Sequence, residues 1–445
     1  MADLLDLTKK IGCNPIVTNT NETSSKYPGA SSKNSGSSRG SQASTKTFLW
    51  VAIASTALAI LDHGYLLAEH YRLRFGEAGG KSLCDISETM SCAAVSASKY
   101  SEFLGVPMAM WGAAANLVLL LLLAWWPMTD ENKKPAARRN ILLVSGFIAI
   151  ASIVMGAVSS FLIQKLCPFC ILAYVLSFIS FGAAWLALRP SASRGTKALS
   201  IPGFQFSDLT PVLVLAAIGA VGSMIANDQV KKSYGFRDMG PFVQEKVAEW
   251  ASSPQVQINT LQPLVKGASP ENAKMTIVEF ADFRCIHCKH ASPVLKAFVN
   301  AHPDTRLEFQ AWPLDGECNS AISRANNASC LLARTVYCAE KAAPGTGKGW
   351  SAHDYVFENQ ERWVSVDAIK GAYAEIASAS GIAADQLATC ADSDEAKEAV
   401  KKQADVGVGL NLQGTPTIYV NGRKLQAGQV LSVLSGVHQN LTTSK

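Results

Sequence analysis

The chain has little charge, and this is the first guide to its class. Asp, Glu, Lys and Arg make up 17% of its 445 residues, whereas hydrophobic residues make up 48%. An ordinary soluble domain carries more charge than this. The apolar excess is concentrated between residues 47 and 226. The sequence therefore predicts an integral membrane protein with a soluble C-terminal part.

Three other features are missing from the sequence. No Lys/Arg-rich stripe interleaved with aromatic residues occurs outside the membrane loops, which excludes the usual patterns of nucleic-acid binding. No internal repeat is present. No short signal peptide with a small-residue cleavage site precedes the first apolar run, so we expect that run to remain as an anchor.

Five apolar runs are long enough to cross a bilayer as helices. They cover about residues 48–67, 106–126, 141–163, 171–188 and 211–226. Ahead of them lies a tail rich in Ser, Asn and Gly, which we expect to be disordered because it cannot bury enough apolar surface. The predicted domains are this tail at 1–46, a four-helix membrane domain at 47–190, a loop with the fifth span and a linker at 191–270, and a soluble domain at 271–440.

The placement of positive charge predicts how the spans are oriented. The tail, the loop between spans 2 and 3 and the loop between spans 4 and 5 are basic and poor in acids, so we expect them in the cytoplasm. Five alternating spans then place everything after residue 227 on the opposite side of the membrane. The sequence thus predicts a multi-pass protein of the inner membrane with a periplasmic or extracytoplasmic C-terminal domain.

The soluble part has the pattern of a small α/β domain. The run MTIVEF at 275–280 is typical of a buried strand, and Cys285-Ile-His-Cys288 follows it at the start of a helix. Gly-Thr-Pro-Thr at 414–417 precedes another strand. No second Cys-x-x-Cys or His-x-x-x-His in this part completes four zinc ligands, so we expect no metal site. The pattern resembles the thioredoxin superfamily, and most closely its oxidising DsbA-like members, over roughly residues 265–440.

The soluble cysteine pair predicts a donor of disulfides. A thiol at the start of a helix feels the positive end of the helix dipole, which favours its thiolate. His287 can add a positive charge or a hydrogen bond to the same sulfur. A stabilised thiolate makes the corresponding disulfide a stronger oxidant. The resemblance implies that Cys285 attacks, that Cys288 resolves, and that Pro416 is a cis-proline facing both.

Four further cysteines follow in the soluble part, and four cysteines allow three pairings. We favour a structural disulfide between Cys318 and Cys330, because they flank a polar, Asn-rich turn. A bond between Cys338 and Cys390 is a weaker prediction.

Two more cysteine pairs lie at the edges of the apolar runs. Cys84 and Cys92 lie between the first two spans, and Cys167 and Cys170 form a Cys-x-x-Cys where the third span meets the fourth. With the motifs KSLCDISETMSC and CPFCILAY, this arrangement resembles the vitamin K epoxide reductase family over about residues 47–188. The expected fold is a membrane α-helical bundle with a four-helix core of that type, a fifth linking span and a C-terminal thioredoxin-like α/β domain.

The second resemblance assigns a role to each membrane cysteine. Cys84 would exchange with the thioredoxin-like domain, Cys92 would relay to Cys167, and Cys170 would reduce a quinone. Menaquinone, ubiquinone and phylloquinone are all candidates for this acceptor.

The same resemblance names residues at the quinone. Tyr174, one helical turn from Cys170 and on the same helix face, would hydrogen-bond a quinone carbonyl. Ser98 would organise the loop, and Asn116 on the second span is a candidate for another quinone contact.

Four polar residues have two interpretations each. Glu279 and Lys289 lie near the soluble motif and could relay protons, although an exposed charge is the expected explanation. Asp62 and His63 lie near the outer end of the first span, where lipid disfavours them. They could be interfacial, or close to the quinone or the cysteine loop.

The sequence as a whole predicts a quinone-dependent thiol oxidase that forms disulfides in exported proteins with free thiols. Electrons would pass from the soluble pair through Cys84, Cys92, Cys167 and Cys170 to the quinone. Two alternatives remain open. One is a quinol-driven reductase or isomerase that works in the opposite direction. The other is a membrane-anchored binding protein or transporter whose cysteines form structural disulfides.

Overall fold

The computed structural model describes residues 37–75, 84–85, 89–189, 206–234 and 239–443. Most of the predicted tail and most of the loop between the fourth and fifth spans lie outside the described residues. Residues 45–445 form one compact unit.

The N-terminal half is helical and carries one short β-hairpin. Its elements are α1 (Ser37–Phe75), α2 (Cys92–Ala97), β1 (Glu102–Phe103), β2 (Val106–Pro107), α3 (Met108–Trp125), α4 (Lys134–Ala157), α5 (Pro168–Ala187) and α6 (Thr210–Ser233). All of these helices except α2 are long and apolar enough to cross a membrane, which confirms the five predicted spans.

The first and fifth spans are longer than the sequence pattern predicts. Helix α1 continues past its apolar stretch because its charged residues are paired. Arg72 contacts Glu69 at 2.8 Å, and Arg74 contacts Glu102 of the hairpin at 3.3 Å. Apolar runs therefore mark the part of a helix in lipid, whereas ion pairs of this kind let the helix extend beyond it.

The C-terminal half is an α/β domain around a five-stranded sheet. Its elements are α7 (Met239–Ser252), β3 (Leu264–Gly267), β4 (Met275–Ala281), α8 (Ile286–Ala301), β5 (Thr305–Ala311), α9 (Ala328–Ala342), α10 (Lys348–Glu358), α11 (Val366–Gly371), α12 (Tyr373–Ser380), α13 (Ala384–Ala391), α14 (Asp394–Gly409), β6 (Thr417–Val420), β7 (Arg423–Leu425) and α15 (Leu431–Thr443).

The sheet has the order β3-β5-β4-β6-β7. Strands β4 and β5 are parallel and are joined through α8, whereas the other neighbours are antiparallel. Strand β3 belongs to this sheet, so the domain includes residues before the predicted boundary at 271. Strand β4 is central and buried along most of its length, and it ends just before Cys285.

One set of contacts builds the membrane half, and another joins it to the soluble half. Helices α3, α4 and α5 pack around a core that includes Leu119, Ile141 and Ala184. Helix α2, which carries Cys92, packs against α8 of the α/β domain. The loop between the first two spans is therefore the part of the membrane half that meets the soluble half.

Candidate active site

Three cysteines form a buried cluster at one end of the helical bundle. Cys84 and Cys92 are joined by a disulfide. The sulfur of Cys167 lies 3.0 Å from the sulfur of Cys92. All three side chains are buried, so any exchange between them is shielded from water. A thiol at contact distance from a disulfide is the geometry that thiol–disulfide exchange requires.

Cys167 and Cys170 lie at the start of α5. Cys167 is the N-cap of this helix, and its sulfur accepts a hydrogen bond from the backbone N–H of Cys170 at 3.1 Å. Pro168 occupies the first turn, where a missing N–H costs nothing. The sequence Cys-Pro-Phe-Cys therefore folds locally so that the second sulfur lies one helical turn inside the first.

The cluster is packed by aromatic and aliphatic side chains. Tyr65 of α1 stacks on Phe169 with ring centroids 4.3 Å apart. Leu66 and Val95 also pack against the three sulfurs. Helix α2 is fixed at its start because the Ser91 hydroxyl accepts a hydrogen bond from the backbone N–H of Ala94.

An apolar cavity of about 650 Å³ lies beside the cluster. Cys92, Cys167 and Cys170 line one end of it. The three residues that the sequence associates with a quinone, Tyr174, Ser98 and Asn116, also line it. The structure thus brings these predicted residues to one cavity with the membrane cysteines.

Polar groups at this cavity are few. The Asn116 amide donates a hydrogen bond to the Gly112 carbonyl at 2.9 Å, and its side-chain oxygen is buried with no hydrogen-bond partner among the described residues. The Ser98 hydroxyl donates to the Val95 carbonyl at 2.8 Å and so ends helix α2. An apolar enclosure with a buried oxygen and the Tyr174 side chain fits a quinone ring, whose faces are apolar and whose edges are polar.

Asp62 and His63 lie inside the bundle. Asp62 is 6% exposed, and neither of its carboxylate oxygens has a hydrogen-bond partner among the described residues. His63 lines the cavity and packs directly on Gly112, where an added Cβ would lie 2.0 Å from the ring. The structure thus places His63 at the cavity, whereas Asp62 is buried but does not line it.

The soluble cysteine pair lies at the start of α8. Cys285 is the N-cap and is half-buried, whereas Cys288 is fully buried. The Cys285 sulfur lies 3.4 Å from the carbonyl oxygen of Thr415. The following peptide bond, Thr415–Pro416, is cis. Pro416 therefore faces the more exposed sulfur of the pair.

Hydrogen bonds and burial shift the pKa values of the two thiols in opposite directions. A hydrogen bond from the Cys288 thiol, together with the backbone N–H groups of His287 and Cys288, lowers the pKa of Cys285 to about 5. Burial raises the pKa of the Cys288 thiol well above its ordinary value. Cys285 is thus a thiolate at neutral pH and Cys288 is not. The His287 side chain itself is exposed, and the contribution of this residue comes from its backbone.

The expectation that Glu279 and Lys289 are exposed charges is wrong. Glu279 is 1% exposed, and burial raises the pKa of its carboxyl to about 8. Its charge acts on both Cys285 and Cys288. Lys289 is 8% exposed, and its ammonium contacts the exposed Glu361 at 2.6 Å. The signal in the sequence was the position of Glu279 inside the strand run MTIVEF, where an ordinary surface charge does not belong.

The remaining cysteines of the soluble half form two disulfides. Cys318 is bonded to Cys330, and Cys338 is bonded to Cys390. The unbonded cysteines among the described residues are Cys167, Cys170, Cys285 and Cys288. No group of three or more His, Cys, Asp or Glu side chains that could hold a metal ion occurs in the described part of the chain.

The two halves meet at a cleft of about 840 Å³. Asp85, next to Cys84, lines it from the membrane side, and Lys289, next to Cys288, lines it from the soluble side. Ala97 of α2 is buried in the same cluster of apolar side chains as Leu295 of α8. The loop disulfide and the soluble dithiol therefore belong to adjoining surfaces.

The fold and these cysteine pairs define a class, a protein in which a bundle of membrane-spanning helices with paired cysteines is joined to a thioredoxin-like α/β domain with a Cys-x-x-Cys. Comparison with known families finds a matching family model for each of the two domains. Residues 50–185 match the model of the vitamin K epoxide reductase family, and residues 276–437 match that of the DSBA-like thioredoxin domain. The chain thus joins a vitamin K epoxide reductase family domain to a DsbA-like thioredoxin domain, as both resemblances predict.

Individual relatives cover parts of the chain. Disulfide bond formation protein D of Bacillus subtilis is 26% identical over 178 residues, which are 37% of this chain and 72% of that protein. A Na(+)/H(+) antiporter NhaA of Herminiimonas arsenicoxydans is 27% identical over 180 residues, which are 40% of this chain. This chain spans about a quarter of the length of the antiporters that it matches. The crystal structure of oxidised BdbD from Bacillus subtilis aligns with a TM-score of 0.35 and 22% identity, covering 43% of this chain and 98% of that one.

Proposed function

We propose that the protein is a quinone-dependent thiol oxidase that forms disulfide bonds in exported proteins. The observation that carries this proposal is the 3.0 Å contact between the sulfurs of Cys92 and Cys167. This contact connects the loop disulfide to the membrane Cys-x-x-Cys, and an apolar cavity adjoins both. Electrons that enter at the loop therefore have a route to an acceptor in the bilayer.

The acidity of Cys285 supports the oxidising direction. A pKa of about 5 keeps its sulfur ionised at neutral pH, which stabilises the reduced pair over the disulfide. The disulfide of Cys285 and Cys288 would then be given up readily to a substrate with two free thiols. This acidity disfavours the reverse reaction, in which a quinol would drive reduction of disulfides.

Each transfer moves two electrons by exchange of disulfides. The reduced Cys285/Cys288 pair would attack Cys84 and release Cys92 as a thiolate. Cys92 would then attack Cys167 in a Cys167–Cys170 disulfide, and Cys84 would close the loop disulfide again. The soluble pair leaves oxidised and the membrane pair becomes a dithiol, so that electrons and sulfur bonds balance.

The cavity residues would hold the acceptor. A bound quinone would supply the chemistry of a two-electron, two-proton acceptor. Tyr174 would donate a hydrogen bond to one ring oxygen, and the unpartnered oxygen of Asn116 would accept one from the reduced ring. Ser98 would keep the end of α2 at the rim through its bond to Val95.

The sidedness of the protein follows from the same proposal. We infer that the cysteine centres and the thioredoxin-like domain face the periplasm or its equivalent, and that the basic connection between α3 and α4 faces the cytoplasm. An oxidising compartment is where disulfides persist.

Two substitutions test the scheme in the full-length protein. We expect Cys285→Ser and Cys170→Ser each to abolish quinone reduction driven by a dithiol substrate, because each removes one end of the relay. Cys13→Ser, which the scheme does not use, is the matched control and should retain full activity. The rate of quinol formation in detergent or liposomes is the measurement.

A trapping experiment tests the hand-over between the domains. With Cys288→Ala, the Cys285 thiol cannot be released by its partner, so a Cys285–Cys84 disulfide should accumulate and appear in peptide maps. Quinone reduction that survives both substitutions, or a trapped Cys285 that is bonded only to other proteins, would contradict the relay.

A further inference from the structure

An ion pair and hydrogen bonds hold the fifth span, α6, to the helical bundle near both of its ends. At its start, Asp208 contacts Arg139 of α4 at 3.0 Å, and the Asp208 carbonyl accepts a hydrogen bond from Asn140 at 2.8 Å. At its other end, Asn227 accepts a hydrogen bond from the Tyr71 hydroxyl at 2.7 Å. A helix that served only to link two domains would not need polar bonds at both ends of its membrane segment.

The contacts at Asn227 also reach the β1–β2 hairpin, which follows the cysteine loop. Asn227 donates to the Gly105 carbonyl at 2.9 Å, and Lys231 donates to the same oxygen at 3.0 Å. Gly105 lies in the turn between β1 and β2, with a positive φ of 72° that favours glycine. The position of α6 is thus fixed relative to the segment that follows α2.

Between Asp208 and Asn227, α6 presents one face to the apolar cavity beside Cys170. The residues that line the cavity are Val212, Ala216, Gly219 and Ala220, which have the spacing of a single helix face. Gly219 lies level with Ala114 of α3, since a Cβ added there would be 3.6 Å from the Ala114 Cβ. The small side chains let α6 pack closely on α3, and they leave the groove beside this contact unfilled.

The cavity continues along α6 away from the cysteines. At a rise of 1.5 Å per residue, Val212 lies roughly 10 Å along the helix from Gly219, toward the end clamped by Asp208. Opposite this stretch, α4 contributes Leu143, Phe147 and Ile148. The space is therefore a groove between α3, α4 and α6 that begins at Cys170 and opens at the outer surface of the bundle, where Leu143 is 51% and Phe147 is 66% exposed.

We propose that α6 is part of the acceptor site, and that this groove holds the hydrocarbon tail of a lipid quinone whose ring lies at Cys170. The inference rests on the proposed function, and it assigns the acceptor to the class of quinones with a long apolar tail. The four-helix core supplies the end of the cavity at Cys170, and α6 adds one wall of the groove that continues from it.

One observation favours a quinone tail over an acyl chain of a bilayer lipid, and two others show that the groove suits a hydrocarbon. The groove is continuous with the end lined by Cys170, Tyr174 and Asn116, so that a ring placed there would direct its tail along α6. The groove is apolar along its length, as a hydrocarbon requires. The contacts of Asp208 and Asn227 hold this wall in place against α4 and the β1–β2 hairpin.

Two neighbouring alanines provide a matched test. Both side chains are exposed, but Ala216 borders the groove, whereas Ala217 lies on another face of the same helix and does not line it. In the full-length protein, Ala216→Phe should fill the groove and raise the Kd of a long-tailed quinone about tenfold or more, because the ring takes the space that the tail needs. The Kd of a tail-less quinone should change less than twofold. Ala217→Phe should leave both values unchanged.

A second readout does not depend on turnover. Lipid quinone that copurifies with the protein should be lost from Ala216→Phe and retained in Ala217→Phe, as measured by extraction and chromatography. Ala216→Leu repeats the comparison with a smaller side chain if the phenylalanine variant does not fold. In each case, transfer from Cys285 to the loop disulfide should be unaffected.

The outcomes separate this inference from the proposed function. Equal quinone affinity in the Ala216 and Ala217 variants would overturn the role of α6 and indicate that bilayer lipid fills the groove. Equal loss of long-tailed and tail-less quinone in Ala216→Phe would overturn the placement of the tail. A wild-type protein that transfers electrons to the loop but reduces no quinone would instead overturn the proposed function.

Discussion

Glu279 shows how much a single buried residue adds to the soluble site. It lies on the central strand β4 beneath the Cys-x-x-Cys, and one of its carboxylate oxygens has no hydrogen-bond partner among the described residues. With a pKa of about 8, the carboxyl is neutral in the folded protein at pH 7. It can therefore take up or release a proton near Cys288 while that thiol changes its state.

Replacement of Glu279 should stabilise the protein in a way that depends on pH. In the unfolded chain the carboxyl ionises near its ordinary pKa of 4.5, whereas in the folded protein it stays protonated up to about 8. The folded state then binds the extra proton between these values, so wild-type stability falls as the pH rises from 4.5 to 8. Glu279→Gln removes this loss and should stabilise by about 3 kcal/mol at pH 7, with little effect below pH 4.5.

Thermal unfolding of the full chain in detergent at pH 4.5 and pH 8 measures this difference. Glu398→Gln, at an exposed position on α14, is the control and should show no such dependence. A Glu279 variant with the same gain at both pH values would mean that the carboxyl is not protonated in the folded state.

The sequence pattern predicts the positions of the paired thiols better than it predicts the groups that surround them. Cys-x-x-Cys and its position after a strand predict which sulfurs are redox-active, because helix starts and strand ends are local features. The backbone N–H of His287 at the sulfur and the burial of Lys289 depend on how α8 packs against distant elements. A sequence pattern contains no direct information on that packing.

At the scale of elements, the β1–β2 hairpin is the place where the first and fifth spans of the membrane half are held together. It is held by Arg74 through Glu102, and by α6 through Asn227. His70 also contacts Glu102 at 3.1 Å. The cysteine loop is thus followed by a hairpin that forms ion pairs with the first span and hydrogen bonds with the fifth.

Removal of the Asn227 amide should loosen this junction. Asn227→Leu leaves the buried Tyr71 hydroxyl without its acceptor, which costs about 1–3 kcal/mol. We expect faster amide hydrogen exchange at residues 102–107 and a lower melting temperature. Ser233→Ala removes only an exposed hydrogen bond to the Val230 carbonyl of the same helix and serves as the control. Unchanged exchange in the hairpin of Asn227→Leu would mean that α6 does not hold it.

The apolar runs predict the number of spans, whereas the structural role of the fifth span was not predictable from them. Val212, Ala216 and Gly219 are ordinary residues for a lipid-facing helix, and only their placement against α3 and α4 makes them a wall. The same holds for Asp208 and Asn227, whose partners lie far away in the sequence.

For the molecule as a whole, the arrangement of charge and cysteine predicts sidedness. In the described loops, the basic connection between α3 and α4 lies at the opposite end of the bundle from the cysteine cluster, since each span reverses the chain direction. This arrangement agrees with the orientation that the sequence predicts.

Thiol labelling of intact cells tests the orientation. A membrane-impermeant maleimide should label reduced Cys285, which is half-buried and ionised at neutral pH. A cysteine introduced by Lys133→Cys, at an exposed position between α3 and α4, should be labelled only after the membrane is permeabilised. The opposite pattern would place the thioredoxin-like domain in the cytoplasm and exclude a role in exported proteins.

The packing of α2 against α8 has a kinetic consequence. Two reactive groups on one chain meet at an effective concentration that the connecting segment sets, commonly in the millimolar range. Exchange between Cys285 and Cys84 would then be a first-order process, with a half-time that is the same in a crowded membrane and in a dilute one. A free thioredoxin-like protein that serves the same loop would slow in proportion to its dilution. By carrying both partners, the chain would make its own reoxidation independent of how many copies the cell contains.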